Sequence, residues 1–212
     1  MAILNLPSDG LIPVLLVLTR TLVKYGAMPR QELLSNCGAE TSFVDPQQLT
    51  QTLTRWTELG LFFEDENGGI DFAGKAKEAL AGSPRNVEAQ LVGTLRELLL
   101  LPENNENFWA TERNRSADFS RGISWLLAQD VFSVDTSSHS AIQELEISQI
   151  KDETSLIFRN DTRWNGLRYW AHYLGFAHQT PKLTLDPTEA VRAELGVVFS
   201  DETVLPATEF MK

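Results

Sequence analysis

Apolar residues recur every three or four positions near the start of the chain and predict a helix that is buried on one side. The recurring positions are Leu11, Leu15, Leu18 and Leu22. This spacing places the four side chains on one helical face. Gly26 follows them, and a glycine in that place commonly ends a helix.

Two prolines predict where the next two helices begin. Pro29 starts a short helix that runs to about Asn36, because proline is well tolerated in a first turn. Asp45 is a favourable cap for a third helix with Pro46 at its first position. Gly60 supplies the left-handed residue that ends this helix.

The apolar pattern then changes from helical spacing to short strands. Residues 61–64 and 70–72 read as two strands, and the Asn67–Gly68 pair between them is a hairpin turn signal. Three helices followed by a hairpin is the order of a winged helix. In that fold, residues 46–59 would form the recognition helix of a helix-turn-helix motif.

Residues 162–195 repeat this order. A helix ends at Gly175, two short apolar strands flank a turn at residues 179–181, and Pro187 begins another helix. We therefore predict a mainly α protein with short β-hairpins (α+β), built from tandem winged-helix-like units. The alternative is that the order of helix, glycine and hairpin recurs by chance.

Small and helix-breaking residues at positions 81–84 separate the two predicted units. They predict a winged-helix-like domain at residues 1–83. Residues 84–212 would then hold a helical segment followed by the second winged-helix-like unit.

Composition limits the partners of this chain. Its 212 residues include 18 Lys and Arg against 29 Asp and Glu, a formal charge of −11. Such a chain repels nucleic acid at long range, so contact with a polyanion requires a local basic patch. The single cysteine, Cys37, excludes an internal disulfide and fits a reducing compartment. The apolar run at residues 11–18 is shorter than the ~20 residues of a membrane span, and we expect a soluble cytoplasmic protein.

The sequence contains no recognisable catalytic motif. No glycine-rich phosphate loop is present, and His139, His172 and His178 lack metal-ligand spacing. Cys37 and His172 could formally act as a catalytic nucleophile and its base. We predict no catalytic, cofactor-binding or metal-binding residues and no small-molecule ligand, with a small enzyme of unrecognised site as an alternative.

The first predicted unit favours protein docking over DNA binding. Polar residues are expected on the exposed side of the third helix, namely Gln47, Gln48, Gln51, Thr52, Thr54, Arg55 and Glu58. Arg55 is the only cation among them. The hairpin carries Glu64, Asp65 and Glu66 where a DNA-binding wing presents basic residues to phosphates.

The second predicted unit combines arginines with aromatic residues, as surfaces that bind phosphates and stack on bases do. A smaller cluster, Arg113, Arg115 and Arg121, precedes it. The candidates for contact with nucleic acid are Arg113, Arg115, Arg159, Arg163, Arg168 and Lys182. The alternative is that Trp164 and Trp170 belong to the core and the arginines pair with nearby acids.

Two stretches of the chain resemble the DpdG family. The opening residues 1–10, MAILNLPSDG, are similar to the start of those proteins. Residues 164–175 and 185–188 resemble the family's tryptophan-rich helix and the Asp-Pro cap that follows it. DpdG is a component of bacterial gene clusters that insert deazaguanine bases into DNA and restrict foreign DNA.

The resemblance implies a bacterial cytoplasmic accessory subunit and transfers no functional residues. We therefore expect a non-catalytic scaffold or adaptor in a DNA-modification or defence complex. Its partners would be other protein subunits and, through the second unit, DNA. The main alternative is a winged-helix transcriptional regulator that binds DNA sequence-specifically.

Overall fold

The computed structural model describes residues 3–4, 12–80, 86–109, 115–180, 182–200 and 204–210. We refer to the elements before the predicted boundary as the first unit. They are α1 (Ile12–Tyr25), β1 (Met28–Pro29), α2 (Arg30–Asn36), α3 (Pro46–Glu58), β2 (Phe62–Glu64), β3 (Gly69–Phe72) and α4 (Gly74–Leu80).

After the boundary, helix α5 (Val87–Leu100) leads to the second unit. The second unit and the last helix consist of α6 (Ala117–Leu127), α7 (His139–Gln149), α8 (Asp161–Tyr173), β4 (Ala177–Thr180), β5 (Lys182–Leu185), α9 (Thr188–Val198) and α10 (Ala207–Phe210). The predicted fold class, mainly α with short β-hairpins, is confirmed.

Local signals set the limits of α3 as the sequence predicts. The Asp45 carboxylate accepts the Gln47 N–H at 2.8 Å, and Pro46 occupies the first turn. Gly60 has a φ of +89°, the left-handed conformation that a side chain disfavours. These contacts span only a few residues, which is why the sequence alone locates this helix.

A third strand joins the hairpin of the first unit. Strand β1 pairs with β3 through Met28 and Ile70, and the sheet order is β1-β3-β2. Strand β1 could not be predicted from the sequence, because two residues are too short for an alternating pattern and Pro29 weakens the signal.

The second unit repeats three helices followed by a hairpin. The segment between α6 and α7 again reaches the second hairpin strand, where the Thr136 hydroxyl donates to the Leu183 carbonyl at 2.5 Å. The second unit thus makes a side-chain hydrogen bond at the point where the first unit has backbone pairing between two strands. Helix α7 ends at Gln149, and Ile150 after it is extended.

The two units share one buried apolar cluster. Trp56 of α3 meets Trp170 of α8, with 5.5 Å between ring centroids. Leu4 packs on Gly166 of α8, where even a Cβ would be in ordinary van der Waals contact with the Leu4 side chain, at 3.6 Å. The predicted domain boundary at residues 81–84 lies outside the described residues and stays a prediction.

Candidate interaction surfaces

The exposed face of α3 has no cation. Arg55 is buried, with its guanidinium 3.4 Å from the Glu58 carboxylate, and Thr52 is fully buried. Both residues were expected on the surface, and both expectations are wrong. Helix α3 packs against α1 and also against Trp170, so a wider part of its circumference is covered than its apolar residues alone indicate.

The hairpin beside α3 is acidic, as predicted. Glu64, Asp65 and Glu66 are all exposed. The Arg30 guanidinium donates to Glu64 at 2.6 Å and to the Thr54 hydroxyl at 3.0 Å. This arginine is therefore already paired, and the recognition side of the first unit presents carboxylates and neutral polar groups.

Arg163, a predicted phosphate contact, lies inside the second unit. Its guanidinium donates to the Ile157 carbonyl at 2.9 Å and lies 3.7 Å from the Asp118 carboxylate. Arg121 is also buried and donates to the Trp109 carbonyl at 3.0 Å. Arg163 and its neighbour Trp164 lie on the buried side of α8. The Arg163 charge is therefore close to a protein carboxylate and shielded from solvent.

Asp118 and Glu146 complete a buried charged cluster with these two arginines. Glu146 accepts the N–H groups of Ile157 and Phe158 at 2.6 and 3.0 Å. Asp118 accepts the Leu4 N–H at 3.0 Å. The buried cluster fixes the loop that leads into α8.

Burial sets the proton affinities in the buried cluster. Desolvation raises the pKa of Asp118 and of Glu146, although the nearby arginines and N–H donors oppose it. Desolvation likewise lowers the pKa of Arg121. The position of Glu146, four residues after the buried Ile142 on the same face of α7, is the sequence signal for its burial.

The other predicted basic residues occupy different elements. Arg115 is exposed just before α6 and donates to the Asn104 side chain at 3.2 Å. Arg159 is exposed and donates to backbone carbonyls of residues 153–154. Arg168 is half-buried on α8, and Lys182 is exposed on β5. Arg113 lies outside the described residues.

Most remaining cations in the described part of the chain contact carboxylates. The pairs are Arg20–Glu88, Lys75–Glu97, Lys77–Asp71, Arg96–Glu194 and Arg192–Glu189. Each pair offsets part of a positive charge that a phosphate would otherwise meet. Across its described surface, the protein thus presents more negative than positive charge.

The contacts of Cys37 and His172 give no activated nucleophile. The Cys37 thiol is buried 3.4 Å from the Thr21 hydroxyl, and burial raises its pKa. The His172 ring lies 3.3 Å from the Ala177 carbonyl in the second unit. Within the described ranges, no group of three or more His, Cys, Asp or Glu is arranged to hold a metal ion. Among the same residues, no helix has the length and apolar character needed to cross a membrane.

An apolar groove of about 390 Å³ runs between α5 and α9. It is lined by Arg96, Glu97, Leu100, Phe176, Ala190, Val191, Glu194, Leu195 and Val198. Leu100 is 52% exposed and Val191 is 50% exposed. The sequence predicts a helix that starts at Pro187 but not the groove, which forms only because α9 lies beside α5.

Comparison with known proteins adds a family. The model of the DpdG-like family matches residues 1–212. No curated protein and no solved structure matches the chain. The two stretches that resemble the family lie within this match, and the match covers the whole sequence. The chain therefore belongs to the DpdG-like family, which makes it a component of a deazaguanine-modification system.

Proposed function

We propose that this protein is a non-catalytic adaptor subunit of a DNA-modification or defence complex and that it acts by docking other protein subunits. The observation that carries the proposal is the charge of the first unit. Its α3 and hairpin have the order of a DNA-reading motif, but Arg55 is buried and Arg30 is bonded to Glu64.

Charge pairing explains why this surface suits protein better than DNA. A DNA-binding module gains much of its affinity by releasing counterions from the phosphates that its cations neutralise. Here each nearby cation would first have to leave a carboxylate, and the exposed Glu66 would approach the phosphates. A net charge of −11 adds repulsion at longer range. A regulator that reads DNA through α3 is disfavoured for the same reasons.

Co-expression with the other subunits of its modification cluster tests the proposal. The full chain should co-purify with at least one of them, and light scattering after size exclusion should give the mass of a defined complex. Glu66→Lys on the hairpin should weaken this complex if the hairpin meets a partner. The control is Glu144→Lys, the same charge change at an exposed site on α7. A chain that stays monomeric with every subunit would refute the adaptor role.

A second candidate function is direct contact between the second unit and nucleic acid. Helix α8 holds the place in the second unit that α3 holds in the first, and it carries Arg168 beside the 41% exposed Tyr169. Lys182 lies on the following hairpin, where a wing would contact the backbone. An arginine next to an aromatic ring suits a phosphate and a stacked base.

Fluorescence anisotropy with labelled duplex and single-stranded DNA tests this contact. Binding should fade between about 50 and 200 mM salt, as phosphate contacts do. It should be lost in Arg168→Ala/Lys182→Ala but kept in Arg192→Ala, which removes an exposed arginine elsewhere. No binding at the lowest salt would refute direct contact and leave the adaptor role intact.

A further inference from the structure

Helix α9 is almost unpacked. Of its eleven residues, all described, only Ala190 is buried. The Ala190 N–H donates to the Gly175 carbonyl at 3.1 Å, and Glu194 bonds to the Arg96 guanidinium at 2.8 Å. Isolated helices shorter than about 12–15 residues are marginal in water, and packing of an apolar face normally stabilises them. On α9 that apolar face is open.

The open apolar residues of α9 form a stripe. Val191, Leu195 and Val198 are spaced i, i+4 and i+7, so that they lie on one side of the helix. All three line the groove, and their exposed fractions are between 37% and 50%. Leu100 of α5 and Phe176 line the same groove. Two helices with apolar residues across a groove provide the seat that a third helix fills in helix-in-groove recognition.

The charges at the groove determine what kind of helix suits it. Glu97 and Glu194 line the groove, and their side chains are 49% and 48% exposed. Each contacts one cation, Lys75 or Arg96, through its Oε1 atom, and about half of each side chain remains exposed. A second copy of this chain would bring the same carboxylates and a further charge of −11. A partner with Lys or Arg beside its apolar residues is complementary.

We propose that the groove between α5 and α9 binds a basic amphipathic helix of a partner subunit. Apolar side chains of that helix, spaced i, i+4 and i+7, pack between Leu100 and the stripe on α9. Lysines or arginines flanking them pair with Glu97 and Glu194. This inference rests on the proposed adaptor role and names the surface and the partner chemistry that the role requires.

Peptide titration tests the groove without knowledge of the natural partner. The probe is a fluorescein-labelled synthetic helix with leucines at i, i+4 and i+7 and lysines on the flanks, added to the full chain. One control peptide replaces the leucines by serine, and another replaces the lysines by glutamate. The basic amphipathic peptide should bind at least about tenfold more tightly than either control, because each control peptide lacks either the apolar packing or the charge pairing.

Two variants on α9 locate the binding site. Leu195→Ser should weaken peptide binding about tenfold, because the side chain lines the groove. Val197→Ser changes a residue that is 69% exposed and does not line the groove, and it should leave binding unchanged. Both sites are exposed, so both variants should keep the folded state. Equal effects of the two variants, or equal binding of the three peptides, would overturn the proposal.

Co-expression with the other cluster subunits separates this proposal from the adaptor role. Loss of the complex in Leu195→Ser but not in Val197→Ser supports both. A complex that forms and ignores Leu195→Ser overturns the groove assignment and leaves the adaptor role. Absence of any complex refutes the adaptor role, while the peptide titration still decides the groove. A dimer of the chain alone that Leu195→Ser dissociates would assign the groove to a second copy and overturn the basic helix.

Discussion

Replacing Glu146 by glutamine should destabilise the protein although the two side chains have nearly the same shape. The Glu146 carboxylate is fully buried and accepts two backbone N–H groups, from Ile157 at 2.6 Å and from Phe158 at 3.0 Å. A glutamine side chain has one acceptor oxygen, and its other terminal atom is a donor. One of the two N–H groups would therefore face an NH₂ group and lose its partner.

The size of the loss follows from that orphaned N–H group. Leaving one buried donor without an acceptor costs about 1–3 kcal/mol. Loss of the negative charge weakens the attraction to Arg121 and Arg163. It also removes the free-energy cost of burying a charge, the effect that raises the pKa of Glu146. Because these two effects oppose each other, we expect a net loss of about 2 kcal/mol in the free energy of unfolding.

Urea unfolding of the full chain at pH 7 measures this loss. With a slope of about 2 kcal/mol per molar urea, the midpoint should fall by about 1 M. Glu144→Gln makes the same chemical change on the exposed side of α7 and should move the midpoint by less than about 0.25 M, the usual range for surface changes. A Glu146→Gln midpoint within that range would refute the view that the carboxylate holds the segment before α8.

Further predictions concern side chains with unusual surroundings. Burial raises the pKa of Tyr173 to about 12. This group thus contributes stability that is fully present below its unfolded pKa of about 10 and is lost as pH rises through the folded pKa. Tyr173→Phe should lack this alkaline loss in pH-dependent urea unfolding, and an identical loss in the variant would contradict the assignment. Cys37 should resist alkylation by iodoacetamide at pH 8 until urea unfolds the chain, and rapid labelling of the native protein would contradict its burial. Gly175→Ala should lower stability more than Gly26→Ala, since both have a φ of +79° but only a Cβ at Gly175 meets the Ala190 nitrogen, at 3.1 Å. Both variants carry the left-handed backbone cost of about 1–2 kcal/mol. Equal losses of stability in urea unfolding would contradict the prediction and show that α9 moves to accommodate the new Cβ.

Where α3 begins and where α3 and α8 end could be predicted from the sequence, because the deciding contacts are local. Asp45 accepts an N–H two residues later, and Gly60 and Gly175 take the left-handed conformation at helix ends. The hairpin at residues 65–69 likewise depends on its own turn, where Asp65 accepts the Asn67 N–H at 2.8 Å. Each of these caps and turns depends only on residues that are close together in the sequence.

Which basic residues reach the surface could not be predicted in the same way. Arg163 stands among aromatic residues in the sequence, a pattern typical of a phosphate surface, but the structure pairs it with Asp118 from another helix. Asp118 in turn accepts the N–H of Leu4, 114 positions away. The partner of a buried charge depends on which helices and strands pack together. That packing cannot be read from the sequence.

The sequence by itself determined the mainly helical class, the negative charge and the resemblance to a family that a match over the whole chain then showed. Tertiary structure alone decided that Arg55 and Arg163 are inside, that Glu146 holds a loop, and that α9 leaves an apolar groove beside α5. The physical reason is that helix signals are local, whereas burial and grooves arise between segments that are distant in the sequence.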